Sequence, residues 1–345
     1  MITQDILTAE HLAQKLENIK GASGTPLYPL ERCEEILPLI RTIHELKEKK
    51  NAVILAHSYV MPEIIYGISD FTGDSYILSK EAAASKAETI VFAGVRFMAE
   101  TAKILSPDRD VLLPGFNPGC SLADSVVSAE QIRVLREKYP DTTFVCYINT
   151  ATDVKAQCDV CVTSGNVFEI VEKIPNDKIY FLPDKFMGQN LRNHFKRKGI
   201  KKDIRIFEGG CHVHEKYQKP QIDDVRARYP DVKVLSHPEC RPEVCDASDF
   251  VGSTGQLLQY VKDSPEKIFF VLTECGLLYR IQAECPGKTL VGPFTECEYM
   301  KSNTLENIAR VLSDPQEKDT VHVPDEIREK ALKCIEAMFF YKEQA

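Results

Sequence analysis

The stretch Arg205-Ile-Phe-Glu-Gly-Gly-Cys211-His-Val-His-Glu215 follows a plan that two other parts of the chain repeat. A short apolar run ends in a turn that presents a cysteine, and a helix with basic and acidic residues follows. The same plan occurs in Val111-Leu-Leu-Pro-Gly-Phe-Asn-Pro-Gly-Cys120 and in Leu290-Val-Gly-Pro-Phe-Thr-Glu-Cys297. The three cysteines are separated by 91 and 86 residues, which indicates an internal repeat.

Other landmarks recur in the same order. Continuous apolar runs, typical of strands buried in a parallel sheet, lead to His57, Tyr147 and His237, at intervals of 90 and 90 residues. Arg136-Glu-Lys-Tyr-Pro-Asp141 precedes the second run, and the closely similar Arg226-Ala-Arg-Tyr-Pro-Asp231 precedes the third. The repeat therefore covers most of the chain and is not confined to the cysteines.

Each copy continues with a hydroxyl that opens a predicted helix. These hydroxyls belong to Ser75, Ser164 and Ser253, which lie 89 and 89 residues apart. Another apolar run, beginning at residue 90, 179 or 268, follows in each copy and predicts a further strand. The cysteine turn then closes the copy.

The repeat predicts an α/β protein of three similar three-layer α/β/α domains, each with a short parallel sheet, related by a pseudo-three-fold axis. We expect a helical segment at 1–50, repeats at 51–140, 141–230 and 231–320, and a C-terminal helix at 321–345. Ligands of parallel sheets bind beyond the carboxyl ends of the strands. Because the landmarks lie at those ends, the three copies are expected to share one central cavity.

The terminal segments predict helices without chemistry. Helical spacing places Cys33, Ile36, Leu37, Ile40, Ile43, His44 and Leu46 on one face, and the charged run 47–50 is expected to be solvated. The last helix is expected to pack on an outer surface through Ile327, Ala331, Ile335, Met338 and Phe339.

Composition narrows the class of protein. The 345 residues carry a net charge of −8 and no long basic run, so nucleic acid is not an expected partner. The chain has no apolar run long enough to span a membrane, and its N-terminus is too polar for a signal peptide. We therefore expect a cytoplasmic protein, in which twelve cysteines are metal ligands or small core residues.

Cys120, Cys211 and Cys297 are the predicted metal ligands, because equivalent positions in three copies would meet at one axis. Soft thiolates favour zinc or an iron–sulfur cluster, and three of them leave a metal position open for catalysis. One alternative is that all three are buried core residues. Another is a zinc site at Cys158-Asp-Val-Cys161, completed by Cys240 and Cys245. Cysteines 33, 146, 275, 285 and 334 are interpreted as core residues.

Polar residues around the proposed cavity suggest binding and proton transfer. Ser75, Ser164, Ser253 and Thr254 could simply cap helices, although helix N-termini that face a cavity also bind anions. His57, Tyr59 and His237 follow strands, where they could contact substrate or could be ordinary core or surface residues. Glu239 is the candidate carboxylate acid or base, and His214 is a second candidate proton carrier.

The chain resembles the quinolinate synthase family, the iron–sulfur enzymes of NAD biosynthesis, from about residue 50 to 305. The stretches that carry the resemblance are Ala56-His57-Ser-Tyr59, Asp70-Phe-Thr-Gly-Asp-Ser75, Gly119-Cys-Ser-Leu-Ala-Asp124, Tyr147-Ile-Asn149-Thr, Gly210-Cys-His-Val-His-Glu215, His237-Pro-Glu-Cys240, Gly252-Ser-Thr254 and Met300-Lys-Ser-Asn-Thr-Leu305. Each is weak alone, but together they are specific.

The resemblance implies a [4Fe-4S] cluster on Cys120, Cys211 and Cys297, and condensation of iminoaspartate with dihydroxyacetone phosphate to give quinolinate, phosphate and two waters. It implies a functional link to an enzyme that produces iminoaspartate. The family's proton-transfer positions fall on Tyr59, His214 and Glu239. Its substrate-binding positions fall on His57, Ser75, Tyr147, Asn149, Ser164, His237, Ser253 and Thr254.

Other functions would use the same cysteines. A radical enzyme of the diphthamide type also gathers one cysteine from each of three related domains, but it needs room for S-adenosylmethionine and a protein substrate. A non-catalytic iron–sulfur sensor would carry an additional DNA-binding or dimerisation module. A structural zinc protein would contain no iron.

Overall fold

The computed structural model describes residues 8–124 and 127–344, so residues 1–7 and 345 of the predicted terminal segments lie outside the described residues. Four strands form the first sheet: β1 (Ala52–His57), β2 (Phe71–Gly73), β3 (Thr89–Ala93) and β4 (Asp110–Leu112). All neighbouring strands are parallel, in the order β2-β1-β3-β4.

Two further sheets repeat this arrangement. The second contains β5 (Thr143–Tyr147), β6 (Val160–Val162), β7 (Lys178–Leu182) and β8 (Asp203–Ile206), and the third contains β9 (Lys233–Ser236), β10 (Phe250–Val251), β11 (Ile268–Leu272) and β12 (Thr289–Leu290). Their orders are β6-β5-β7-β8 and β10-β9-β11-β12, again entirely parallel. The α/β class with three short parallel sheets is confirmed, whereas the pseudo-three-fold axis and the domain boundaries stay predictions.

Helices connect the strands, because parallel neighbours require a crossover. Within the described ranges they are α1 (Ala9–Leu16), α2 (Leu30–Lys49), α3 (Pro62–Gly67), α4 (Ser75–Ala84), α5 (Arg96–Leu105), α6 (Ala129–Lys138), α7 (Thr152–Lys155), α8 (Val167–Lys173), α9 (Lys185–Lys198), α10 (Lys219–Arg228), α11 (Pro242–Ala247), α12 (Thr254–Asp263), α13 (Cys275–Glu284), α14 (Glu298–Lys301), α15 (Leu305–Ser313) and α16 (Asp325–Glu343). Among them, none has both the length and the apolar character required to cross a bilayer.

The two terminal helical segments pack against several elements. Five residues of the predicted α2 face are buried, and α2 packs against β1 and against α15, which comes from near the end of the chain. Helix α16 contacts α5 as well as β6, α7 and α8, so it joins elements next to the first and second sheets. Ala331, Ile335 and Met338 are buried as predicted, whereas Ile327 and Phe339 are only partly buried.

Each sheet carries an ion pair at its amino end. An aspartate that immediately precedes β2, β6 or β10 accepts a backbone N–H from the first strand of the same sheet, at 2.7–2.8 Å. The same carboxylate binds a basic residue that lies 23 positions earlier in the chain. These pairs are Lys47–Asp70, Arg136–Asp159 and Arg226–Asp249.

The prediction that the run 47–50 is solvated is wrong for Lys47. Its side chain is only 9% exposed, and its Nζ lies 2.8 Å from Asp70 and donates to the carbonyl oxygen of Ile68 at 2.8 Å. Lys47 is therefore the first copy's counterpart of the two arginines. The sequence hid this role, because a buried lysine inside a run of charged residues looks like part of a solvated surface.

Candidate active site

One cavity collects residues that follow strands of all three sheets. Among the predicted site residues, all except Ser253 line it: His57, Tyr59, Ser75, Cys120, Tyr147, Asn149, Ser164, Cys211, His214, His237, Glu239, Thr254 and Cys297. In a parallel sheet all strands end at the same edge, so residues far apart in the chain meet there. The cavity at the carboxyl ends was predicted from the sequence, and the structure brings its residues together.

The three cysteines that line the cavity differ from the remaining nine. Cys120, Cys211 and Cys297 are partly exposed, whereas all other cysteines are buried. Burial raises the pKa of Cys120 to about 12 and that of Cys297 to about 11, and nearby negative groups act in the same direction. Burial also raises the pKa of Cys211. Three protonated thiols become thiolates when a thiophilic metal displaces their protons, so this donor set fits a metal centre.

Contacts between the cysteine loops hold them together. Ser121, which follows Cys120, accepts a hydrogen bond from the backbone N–H of His212 at 3.3 Å, and its Oγ lies 3.1 Å from the Nδ1 of that imidazole. The ring of His212 packs edge-on against Tyr299, with centroids 5.5 Å apart. Tyr299 is the second residue after Cys297. One residue within two positions of each cysteine thus takes part in a single set of contacts.

The alternative zinc site is not assembled. Cys158 and Cys161 lie in the core cluster that contains the first two sheets, where Cys146 is the register partner of Cys161 and its Sγ lies 3.6 Å from that of Cys334. Cys240 and Cys245 belong to a separate core cluster around β9 and β11. The four proposed ligands are therefore divided between two cores.

His57 and His237 occupy equivalent positions at the ends of β1 and β9 and are held in the same tautomer. Nδ1 of His57 accepts the backbone N–H of Tyr59 at 3.2 Å, and Nδ1 of His237 accepts that of Glu239 at 3.4 Å. Because Nδ1 accepts, the ring proton is on Nε2. Burial lowers the pKa of both imidazoles to about 3. Each is consequently a neutral Nε2–H donor at neutral pH.

Glu239 is a buried carboxylate with two strong hydrogen-bond partners. Its Oε1 accepts from the Tyr147 hydroxyl at 2.6 Å, and its Oε2 lies 3.1 Å from Nδ1 of His214. Burial alone raises the pKa of Glu239, but the charge that His214 and His237 carry when protonated, together with the hydrogen bonds from His214 and Tyr147, lowers it to about 2. Burial raises the pKa of Tyr147, so Tyr147 stays a donor. Glu239 is therefore ionised at neutral pH.

The hydrogen bonds around His214 have a defined direction. An ionised Glu239 only accepts, so when His214 carries a single ring proton its Nδ1 donates to Glu239 and its Nε2 accepts. Thr273 Oγ1 lies 3.0 Å from that Nε2 and 2.7 Å from the Tyr59 hydroxyl, so it donates to His214 and accepts from Tyr59. Thr254 in turn donates to the Tyr59 oxygen at 2.8 Å. A single chain of donors thus runs from Thr254 to Glu239.

The hydroxyls at the helix starts have different roles. The N-cap of α4 is Asp74, with Ser75 as the first helical residue, and the N-cap of α8 is Asn166, two residues after Ser164. Only Ser253 is a cap, because its Oγ accepts a backbone N–H of the first turn of α12. That hydroxyl also donates to Oδ2 of Asp74, which lines the cavity, at 3.3 Å. The capping interpretation is wrong for Ser75, Ser164 and Thr254, the last of which is the first helical residue of α12.

Two buried polar atoms on the cavity wall have no hydrogen-bond partner among the described residues. They are Oδ1 of Asn149 and Oγ1 of Thr163. Unpaired buried polar atoms are rare in native proteins and require an explanation. A polar molecule bound in the cavity would supply the missing partner.

Sequence reasoning missed Thr273 and Glu274, which follow β11 directly. Thr273 joins His214 to Tyr59, and Glu274 lines the cavity. The sequence did contain a sign of these two residues. They form a polar pair at the carboxyl end of an apolar run, which is the kind of position that identified His57 and His237 as candidates. The corresponding positions are Gly94 and Val95 after β3 and Pro183 and Asp184 after β7, so the carboxylate recurs in one other copy but the polar pair does not.

Comparison with known protein families gives one result. The profile of the family described as Quinolinate synthetase A protein matches residues 41–340 of the chain. The match covers all three sheets, the cavity and the three partly exposed cysteines.

Individual relatives agree with the family match. A quinolinate synthase of Caldicellulosiruptor bescii is 46% identical over 298 residues, which are 86% of this chain and 96% of the relative. A quinolinate synthase of Aquifex aeolicus is 42% identical over 312 residues, covering 88% and 94% of the two chains. One of Caulobacter vibrioides is 41% identical over 307 residues, covering 87% and 81%.

Proposed function

Because the chain belongs to the quinolinate synthase family and is therefore an enzyme, we propose that it condenses iminoaspartate with dihydroxyacetone phosphate to give quinolinate, phosphate and two waters. The observation that carries the proposal is one cavity in which three partly exposed cysteines lie beside neutral imidazoles and a directed hydrogen-bond chain. This combination suits a metal-assisted condensation with several proton transfers.

Cys120, Cys211 and Cys297 would hold a [4Fe-4S] cluster. With three cysteine ligands, one iron of such a cluster would keep an open position and would supply Lewis-acid chemistry towards a hydroxyl or carboxylate of the substrate. A single metal ion is the competing possibility, since ligand atoms of Cys211, His214 and Glu239 all lie within 4.8 Å of one another. The number of iron atoms per chain distinguishes the two.

Substrate anions would be bound by neutral donors. Both substrates carry negative charge as carboxylates or phosphate, and the Nε2–H groups of His57 and His237 can donate to them without themselves being charged. The hydroxyls of Ser75, Ser164 and Thr254 line the same cavity. Ser75 and Thr254 begin α4 and α12, whose N-terminal N–H groups and dipoles also favour anions. We propose this set as the binding site, together with Tyr147, Asn149 and the adjoining Ser253.

Tyr59, His214 and Glu239 would move the protons. Burial raises the pKa of Tyr59 well above its ordinary value, so the phenol starts the cycle protonated. When its proton passes through Thr273 to Nε2 of His214, the Tyr59 oxygen can accept a proton from the substrate, and Glu239 stabilises the resulting imidazolium. The reverse transfer returns a proton to a departing hydroxide.

The proposed reaction also assigns a biological setting. Quinolinate is the pyridine precursor in NAD biosynthesis. Because iminoaspartate is a substrate of the proposed reaction, another enzyme must supply it. We propose the cytoplasm as the compartment, because its reducing conditions keep cysteines available as ligands.

The experiment is analysis of iron and acid-labile sulfide in anaerobically purified protein, followed by a quinolinate assay with the two substrates. We expect about four iron and four sulfide per chain, together with product. Cys211→Ala should lose both the cluster and the product while the chain still folds. One iron per chain would favour the single-ion site, and four iron without quinolinate would reject the proposed reaction.

A further inference from the structure

Glu274 is a buried carboxylate that connects three segments of the cavity wall. It follows β11, and its side chain is 1% exposed. Its Oε2 accepts the backbone N–H of Gly276 at 2.6 Å, at the start of α13. Its Oε1 accepts the backbone N–H of Cys297 at 3.1 Å. One carboxylate thus ties the third cysteine to the carboxyl end of the third sheet.

Lys301 provides the opposite charge and makes a second connection. Its Nζ lies 2.8 Å from Glu274 Oε1 and donates to the carbonyl oxygen of Tyr59 at 2.6 Å. A Cβ added at Gly276 would lie only 2.6 Å from the Tyr59 backbone, so α13 starts in close contact with this segment. The pair therefore lies between the Cys297 loop and the backbone that carries the Tyr59 phenol.

The charges of the pair act on the Cys297 sulfur in opposite directions. Besides burial, Glu274 contributes to the raised pKa of Cys297, and Lys301 opposes it. Removal of the ammonium alone would leave a buried negative charge beside a thiolate. Removal of both charges would leave the sulfur close to its original electrostatic environment.

We infer that Glu274 and Lys301 form a neutral buried pair that positions the Cys297 ligand and the Tyr59 backbone and shields the metal-binding sulfur from excess negative charge. Both are positioning residues. Their polar atoms form hydrogen bonds with the backbone of Gly276, Cys297 and Tyr59 and an ion pair with each other, and they act on the site through these contacts. The inference rests on the proposed function, since it takes Cys297 as a ligand.

The test compares wild type, Lys301→Met, Lys301→Arg and the double variant Lys301→Met/Glu274→Gln, all purified anaerobically. Iron per chain, the rate of iron loss to a chelator and the reduction potential of the cluster are measured. Lys301→Met should lose iron about ten- to a hundredfold faster than wild type, because changing a residue that supports a metal ligand typically lowers metal affinity by about that factor. Its potential should become more negative, because added negative charge disfavours reduction.

The two remaining variants separate charge from packing. Lys301→Arg keeps the positive charge, and the double variant removes both charges while an amide oxygen can still accept the Cys297 N–H. Both should retain iron much better than Lys301→Met. An equally fast loss in the double variant would overturn the charge argument.

Lys47→Met is the matched control. Lys47 is also a buried lysine that pairs with a carboxylate and donates to a backbone carbonyl, but it lies at the amino end of the first sheet. This variant should retain iron like wild type. Wild-type iron retention and potential in Lys301→Met would overturn the inference and leave the proposed function intact. Wild-type protein without a cluster would overturn both.

Discussion

The Tyr59 hydroxyl lies 2.7 Å from Thr273 Oγ1, although 214 positions separate the two residues in the chain. Tyr59 follows β1 of the first sheet, and Thr273 follows β11 of the third. Their contact therefore joins the carboxyl ends of two sheets and connects the phenol to His214 and Glu239.

Thr273→Val should interrupt this connection without changing the shape of the site. Valine has no hydroxyl, so no proton can pass between Tyr59 and His214, and we expect kcat to fall about a hundredfold. Iron content should stay at the wild-type level. Thr273→Ser restores the hydroxyl and should recover most of the activity. Steady-state kinetics with iron analysis measure both effects, and a wild-type kcat in Thr273→Val would contradict the relay.

Glu239→Gln should retain the cluster and lose turnover, by about a hundredfold or more. The amide cannot stabilise a charged His214, and its NH2 group introduces a donor where the site needs an acceptor. Tyr147→Phe is the milder control, since it removes one hydrogen bond but keeps the carboxylate. Kinetics of the two variants at equal iron content test this order. A larger loss of kcat in Tyr147→Phe than in Glu239→Gln would argue against Glu239 as the group that stabilises protonated His214.

His57 should make the fold sensitive to acid. Burial lowers its pKa to about 3, below the value of about 6.5 for an unfolded chain. Between these values the unfolded state binds more protons, so the free energy of unfolding falls as the pH decreases from about 6.5, by up to about 1.4 kcal/mol per pH unit. His237 acts in the same way, whereas Glu239, with its pKa lowered to about 2, adds to the decline only below about pH 4.5.

His57→Gln should make this decline shallower, because only one of the two imidazoles whose pKa burial lowers to about 3 then remains. Urea unfolding followed by circular dichroism between about pH 7.5 and 5.5 measures the slope in wild type and variant. Identical slopes would mean that His57 is not held neutral by the fold.

Lys47→Met should destabilise the fold more than Arg226→Met. The Lys47 side chain is 9% exposed, so its removal leaves a partly buried Asp70 without its cation, at a cost of about 2 kcal/mol. Arg226 and Asp249 are 41% and 31% exposed, and water screens such a pair, so we expect less than about 1 kcal/mol. Urea titrations compare the two, and equal losses would contradict the argument from burial.

Repetition made the architecture and most of the cavity predictable. His57, Tyr147 and His237 lie at equal intervals along the sequence, each at the end of a predicted strand. This period alone indicated three similar sheets and a cavity at the carboxyl ends of their strands. The three cysteines were recognised in the same way. The structure adds that they are the only partly exposed cysteines of the twelve.

Contacts between copies were not predictable, because no repeat specifies how the sheets are placed relative to one another. Thr273 and the Ser121–His212 contact belong to this class. Local capping was also missed, since Asp74 and Asn166 occupy the N-cap positions that the sequence suggested for Ser75 and Ser164. Lys47 was misinterpreted because a single sequence does not show which lysine of a charged run is buried.

The ion pairs lie at the amino ends of the sheets, whereas the cavity residues lie at the carboxyl ends. The two ends can therefore differ in how freely their residues change. The ion pairs keep the same 23-residue spacing in all three copies, whereas the opposite ends carry histidine in two copies and tyrosine in the third. A substitution in the cavity leaves these pairs untouched, so new specificities can arise without weakening the sheets. Conversely, the more exposed Arg136 and Arg226 pairs offer places to strengthen the protein far from its chemistry, where the usual conflict between rigidity and turnover does not apply.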